Sequence, residues 1–251
     1  GRQVRPLEPD AGHRAADEEG QLGLGPLVLD PGDNGIRARI SSSNNAYVLI
    51  NDTDNKIRGA GYVGEANLIL NNKGTITADN STYPLYINPS GTSTKTRTMQ
   101  ATGGATLRIL NVTYNNTDGL IRAVGPGSRV DLASSARINN GTLTTSDGGV
   151  IYTLGGHVST LDNVTLTSGS AFVGENGSNT YLVNTITNQG TMTIASGNAD
   201  TYFFVNDTTL NLTGNGTLVL EPGDNGQRSR ISSPNAAYVL VNDTYHTISG
   251  A

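Results

Sequence analysis

The chain has 251 residues, a net charge of −5, 15 % charged and 35 % hydrophobic residues, and neither Cys nor Trp. Those figures exclude a disulfide scaffold, a Cys-based zinc site and a salt-bridge-laced coiled coil. The 32 Gly follow no three-residue period and no run of 18 apolar residues occurs, so collagen and a membrane-spanning helix are excluded too. Lys and Arg form no patch, which sets nucleic acid aside as a partner.

Residues 1–24 are the most charged stretch, with Arg2, Arg5, Arg14, Glu8, Asp10, Asp17, Glu18 and Glu19. Ala11 to Gly20 has the composition of a short helix, and the segment reads as a cap, a leader or a disordered tail. It has neither an initiating Met nor an apolar stretch, so any signal peptide is expected to be gone already. From residue 25 the texture changes. Short runs follow one another, among them Leu27-Val28-Leu29, Tyr47-Val48-Leu49-Ile50, Leu68-Ile69-Leu70, Tyr202-Phe203-Phe204-Val205, Leu218-Val219-Leu220 and Tyr238-Val239-Leu240-Val241. Each is bounded by Gly, Asn, Asp or Ser, so each predicts a strand between turns. No convincing 3.6-residue apolar period appears, and the fold class is all-β.

Repetition narrows the architecture. Leu27 to Ala60 matches Leu218 to Ala251 without a gap, with 24 identities in 34 positions at an offset of 191. So long a period reads as one module of a tandem array, and the chain as a link in something longer. Shorter echoes lie within the module. Gly74-Thr75-Ile76-Thr77, Gly141-Thr142-Leu143-Thr144, Gly190-Thr191-Met192-Thr193 and Gly216-Thr217-Leu218-Val219 share one pattern, and Asn-Asp-Thr recurs at Asn51, Asn206 and Asn242. Near-copies of this kind suit a right-handed parallel β-helix (β-solenoid), whose coils stack so that like residues ladder at the turns. At roughly 20 residues per coil, residues 25–251 make roughly 10–12 coils and a rod of about 50 Å at the spacing of paired strands. A narrow bore filled by Val, Ile, Leu and Ala accords with zero Trp and three Phe.

Stretches such as Leu70-Asn71-Asn72-Lys73-Gly74-Thr75-Ile76-Thr77, Ile186-Thr187-Asn188-Gln189-Gly190-Thr191-Met192-Thr193 and Leu210-Asn211-Leu212-Thr213-Gly214-Asn215-Gly216-Thr217 resemble the β-helical repeats of large secreted bacterial exoproteins. Those are the filamentous-haemagglutinin-like adhesins and autotransporter passengers. The resemblance covers nearly everything after residue 25 and rests on structural positions. It implies secretion to an extracellular or cell-surface location, a fibrous shape and a role in adhesion or surface coating. Separately, the open edge at a rod's end makes further copies of the chain an expected partner, and surface glycans are a second.

Eleven Asn-x-Ser/Thr sequons stand at Asn51, Asn80, Asn111, Asn115, Asn140, Asn163, Asn176, Asn206, Asn211, Asn215 and Asn242. They are candidates for glycosylation on exposed turns; Asn and Thr clustering at strand–turn junctions yields the same pattern without sugar. Asp30 and Asp33, repeated as Glu221 and Asp224, are the best-placed carboxylates. Sugar chemistry needs paired carboxylates and Ca²⁺ needs oxygen ligands. Their Pro-Gly-Asp-Asn-Gly setting reads first as turn chemistry, and one or two carboxylates per loop make at most weak Ca²⁺ sites. His13, His157 and His246 lack metal-pair spacing. His157, Ser159 and Asp162 are too close in sequence to converge as a triad, and the histidines read as exposed polar groups. Arg37 and Arg39, matched by Arg228 and Arg230, alternate on one strand face and are expected to pair with the acidic turn before them. The ten Tyr are expected to pack between turns with hydroxyls reaching water. The sequence therefore predicts a non-enzymatic structural module without a cofactor, one that stacks head to tail. A carbohydrate-active β-helix enzyme and a glycan-binding module are the alternatives.

Overall fold

Along most strands, buried and half-buried residues alternate, as in Thr98–Thr102 and Thr106–Leu110. A two-residue period puts every second side chain on one face, so each strand turns its Ile, Leu, Val or Met inward and its Thr, Arg or Asn outward. A turn follows after three to five residues, and the next strand starts a new face. The computed structural model describes residues 25–32, 37–43, 47–65 and 68–250. Over those residues the strands assemble into three sheets of ten, ten and nine strands, each strand pairing with the third strand before and after it in the chain. The first sheet runs from Leu27–Leu29 to Val239–Asn242, the second from Ala38–Ser41 to Thr247–Gly250, and the third from Tyr47–Asn51 to Ser229–Ser232. Neighbouring strands within every sheet are parallel; for example, Thr98, Leu120 and Thr142 stand in line. The chain is thus a three-faced parallel β-solenoid, with no helix among the described residues. The charged segment 1–24, with its expected helical cap, lies outside them.

Most coils are longer than the expected 20 residues. Thr98 to Leu120 is a step of 22 and Thr142 to Thr165 a step of 23, while Leu27 to Ile57 and Leu218 to Ile248 are each 30. The two long coils are the two copies of the 34-residue repeat, which hold the Pro-Gly-Asp-Asn-Gly insertion. Longer coils make fewer of them, so the strand number per sheet sits at the low end of the expected count.

The bore is packed as columns. In the first sheet Ile57, Ile76, Met99, Ile121, Leu143 and Leu166 lie one above another. In the second, Leu107, Val130, Ile151, Phe172, Met192 and Leu218 do the same. All of these are buried. Each such side chain stabilises the fold by about 1.5–3 kcal/mol relative to exposure. Large residues are met by small ones: Phe203 packs beside Phe172 with ring centroids 6.0 Å apart, and a Cβ on Gly174 would lie 2.7 Å from the Phe203 ring. The glycine opening the Gly-Thr-apolar-Thr echoes has the same cause. A Cβ on Gly190 would lie 2.3 Å from the Ser170 carbonyl, and one on Gly216 would lie 2.4 Å from that of Gly190. The recurring glycine marks where one coil's turn presses on the next.

Corners carry the second signature. Asn111, Asn140, Asn163 and Asn184 all have positive φ, a region that Asn tolerates better than other residues with a Cβ. Asn163 donates to the Asn140 carboxamide oxygen at 2.8 Å, and Asn140 donates to Thr117 Oγ1 at 3.2 Å. Asparagine thus turns the chain and joins successive turns.

Candidate functional site

Three places on the solenoid concentrate polar chemistry: an outward column on the second sheet, an inward column at one corner, and the two end coils.

The outward column runs through Arg39, Tyr62, Tyr86, Arg108, Asp131 and Tyr152, in register from coil to coil. Parallel pairing puts like positions about 4.8 Å apart, close enough for rings and guanidinium groups to stack. Tyr62 and Tyr86 stack with centroids 4.6 Å apart and planes 11° from parallel. The Arg37 guanidinium lies 4.8 Å from the Tyr86 ring centre and donates to the Tyr62 hydroxyl at 2.8 Å. Arg129 lies 4.1 Å from the Tyr152 ring centre. Asp131 faces outward yet is fully buried, because Arg108 and Arg129 close over it, with nitrogen–oxygen distances of 2.7 and 2.6 Å. Arg129 also reaches Glu175 at 3.1 Å. Burial pulls the Arg129 pKa down, but Asp131 and Glu175 more than offset it and hold the pKa above its ordinary value.

Arg39 pairs with Glu65, one coil on, and Arg230 with Asp200, one coil back. These ion pairs run between coils, where parallel pairing sets side chains of adjacent coils side by side. They differ from the expected pairing with the preceding acidic turn. A hydrogen bond from the Arg228 backbone N–H, followed by the contact with Tyr202 and the charge of Arg230, lowers the Asp200 pKa.

The inward corner column comprises Asn51, Asn72, Lys95 and Asn116, all buried. Asn51 Nδ2 donates to Asn72 Oδ1 at 2.6 Å, and Lys95 Nζ to Asn116 Oδ1 at 2.7 Å. Burial lowers the Lys95 pKa from 10.5 to about 6, so the amine is neutral near pH 7. No sequence pattern singled out Lys95 or Asp131. The nearest signal is alternation: Lys95 occupies an inward position of the strand Thr92–Lys95, where the neighbouring coils put Asn.

The sequence-derived candidates are dispersed. Asp30 is exposed just after the first strand, and Asp33 lies outside the described residues. Glu221 and Asp224 are exposed near the other end, in a loop closed by an antiparallel bridge between Pro222 and Arg228. Asn225 and Gly226 both have positive φ there, as a two-residue Asn-Gly turn requires. The loop is built as turn chemistry, and the fold keeps its two copies at opposite ends. Among the described residues, no three His, Cys, Asp or Glu side chains converge as a metal site, and no helix is long and apolar enough to cross a membrane.

Of the sequons, Asn111, Asn115, Asn163, Asn176, Asn215 and Asn242 are exposed; Asn80, Asn140, Asn206 and Asn211 are half-buried. Asn51 is buried, its amide spent on Asn72, so it is a core residue in this fold. Asn176 accepts from the Gly197 and Ala199 backbone N–H groups and donates to Asn198, which makes it a loop clamp. His246 corrects the expectation of an exposed ring. It is buried between Asn188 and Asn242, at 3.0 and 2.7 Å, and burial lowers its pKa. His157 is half-buried and its Nδ1 accepts from the Ser134 N–H, while His13 lies outside the described residues. Tyr114 is a second correction: it fills the bore beneath Ile138, fully buried, and burial raises its pKa.

At the ends, Leu27, Val28, Tyr47, Val48 and Ile50 on the first coil and Val239, Val241 and Tyr245 on the last are exposed, all within the two copies of the repeat. No family model, no curated protein and no solved structure matches the chain.

Proposed function

We propose that this chain is a structural module of an extracellular fibre, sheath or adhesin stalk. Its contribution is shape: a stiff rod extended by repetition and stacked end to end on further copies. One observation carries the reading. The three sheets run through the described residues as one parallel stack, and residues 27–60 recur within it as 218–251, so repetition of the module adds length along the same axis. The end of any such stack is an open parallel edge, a template for another strand. The outward columns of Arg, Tyr and Asp brace coil against coil along the sides, which is what a rod under bending load needs. The resemblance of the Asn-rich repeats to secreted β-helical exoproteins supports the extracellular setting and the role in adhesion.

Light scattering over a concentration series, with electron microscopy of the same samples, tests the proposal. Rods of constant width whose length grows with concentration are expected. Particles that stay monomeric at the highest concentration would overturn it.

A further inference from the structure

The recurrence of residues 27–60 as 218–251 carries one change with a chemical consequence. Asn51 recurs as Asn242, but Asn55 recurs as His246. Asn55 is exposed, whereas His246 is buried. Thr247 stands opposite Thr217, so the turn before it, residues 243–246, lies over the corner 214–216 of the preceding coil. Glycine at 214 and 216 keeps that corner thin. A Cβ on Gly214 would lie 2.3 Å from the Asn188 carbonyl oxygen, and one on Gly216 would lie 2.8 Å from Asn188 Oδ1. The His246 ring thereby reaches Asn188 past the intervening strand Thr209–Thr213, two coils away.

The backbone fixes both carboxamides that touch the ring. Asn188 Nδ2 donates to the Thr217 carbonyl at 3.1 Å, and Asn188 Oδ1 accepts from the Gly190 N–H at 3.1 Å. It is therefore the NH₂ of Asn188 that stands 3.0 Å from His246 Nε2, and that nitrogen has to accept. Asn242 Nδ2 donates to the His246 carbonyl at 2.8 Å, which leaves Asn242 Oδ1 to accept from His246 Nδ1 at 2.7 Å. The two neighbours together select one state: a neutral ring with its proton on Nδ1 and a lone pair on Nε2. A proton on Nε2 would set two N–H donors 3.0 Å apart with no acceptor between them.

We infer that His246 is an acid-sensitive latch: the neutral ring ties the turn 242–246 to Asn188 two coils away, and the protonated ring leaves that seat and loosens the following strand, Thr247–Gly250, from Thr217–Glu221. The latch lies within one chain, so it goes beyond the proposed rod and does not depend on how chains assemble.

Its electrostatic surroundings are simple. The strands Thr185–Asn188, Thr209–Thr213, Val239–Asn242 and Thr247–Gly250, and the corners 189–190 and 214–216, hold no charged side chain. Asp243 and Tyr245 are the titratable groups of its own turn, and both are exposed. Burial, which disfavours the cation, lowers the His246 pKa below 6.5. Protonation is thus easier in the open turn than in the closed one. The latch is fully set above pH 6.5 and is lost as the pH falls from there through the lower value of the closed state. Across that window the equilibrium constant for opening rises by up to about tenfold per pH unit.

NMR of the full chain with labelled histidine tests the latch. The variant His246→Asn, which installs the residue of the other copy, identifies the His246 signals and removes the titrating group. In the native chain the His246 ring is expected as the Nδ1–H tautomer at neutral pH, with a titration midpoint below 6.5. Asn188→Ala removes the partner and keeps the ring, and its midpoint is expected to return toward 6.5. Hydrogen exchange supplies the second readout. Amide protection of residues 247–250, corrected for intrinsic exchange, is expected to fall by up to about tenfold per pH unit below pH 6.5 in the native chain. In His246→Asn it is expected to hold level. An Nε2–H ring, a midpoint at or above 6.5, or the same pH response of residues 247–250 in both proteins would overturn the latch.

Discussion

Lys95 shows what a single residue carries when it is placed in the bore. Its column neighbours Asn51, Asn72 and Asn116 hold the corner with neutral carboxamides, and Lys95 joins them only by giving up its proton. The unfolded chain restores a solvated amine with its ordinary value of 10.5, against about 6 in the folded state. Between those two values the unfolded state binds one more proton, so stability rises with pH across that window. The slope approaches about 1.4 kcal/mol per pH unit. Urea unfolding at pH 7, 8 and 9 is expected to show the midpoint climbing in the native chain, and climbing much less in Lys95→Asn, which continues the column without a titrating group. Equal slopes in the two proteins would show that Lys95 is not neutral inside the fold.

Strands of this solenoid are too short to stand alone and are held by what ladders between them. Asp131 on the strand Arg129–Ala133 takes guanidinium groups from Arg108, one coil back, and from Arg129 on its own strand. Its carboxylate is fully buried although it points away from the bore. Removing it leaves two guanidinium groups facing each other, so Asp131→Ala is expected to destabilise by about 3 kcal/mol, near the cost of breaking a buried pair. Asp79→Ala, at the exposed pair with Arg58, is expected to change stability by less than about 1 kcal/mol. Urea midpoints of the two variants check the contrast. Strands and turns were legible in the sequence because alternation, Gly and Asn act locally: Gly190 and Asn140 announce their corners wherever the coils lie. The columns were not legible. Asp131 owes its burial to Arg108, 23 positions away, and Tyr114 is inward because it stacks beneath Ile138, 24 positions away. Irregular coil lengths hid those partners, since a step of 22, 23 or 30 leaves no fixed period from which to read them. For the same reason the expected local pairing of Arg39 gave way to Glu65.

For the molecule as a whole, length, stiffness and end structure are one property. Each coil lies on the one before it, so a further module adds rise without changing cross-section, and the recurrence of residues 27–60 as 218–251 continues the same stack in the same register. With strands about 4.8 Å apart, ten in a sheet make a stack of about 45 Å. Side chains that share a column are near neighbours although 19 to 26 residues separate them. Methyl-selective NMR reads that arrangement directly. With Ile, Leu and Met methyl groups labelled, nuclear Overhauser contacts are expected to link Ile76 to Met99, Met99 to Ile121, Ile121 to Leu143 and Leu143 to Leu166, in that order. Contacts in the reversed order of antiparallel pairing, or no contact between these residues, would contradict a parallel stack.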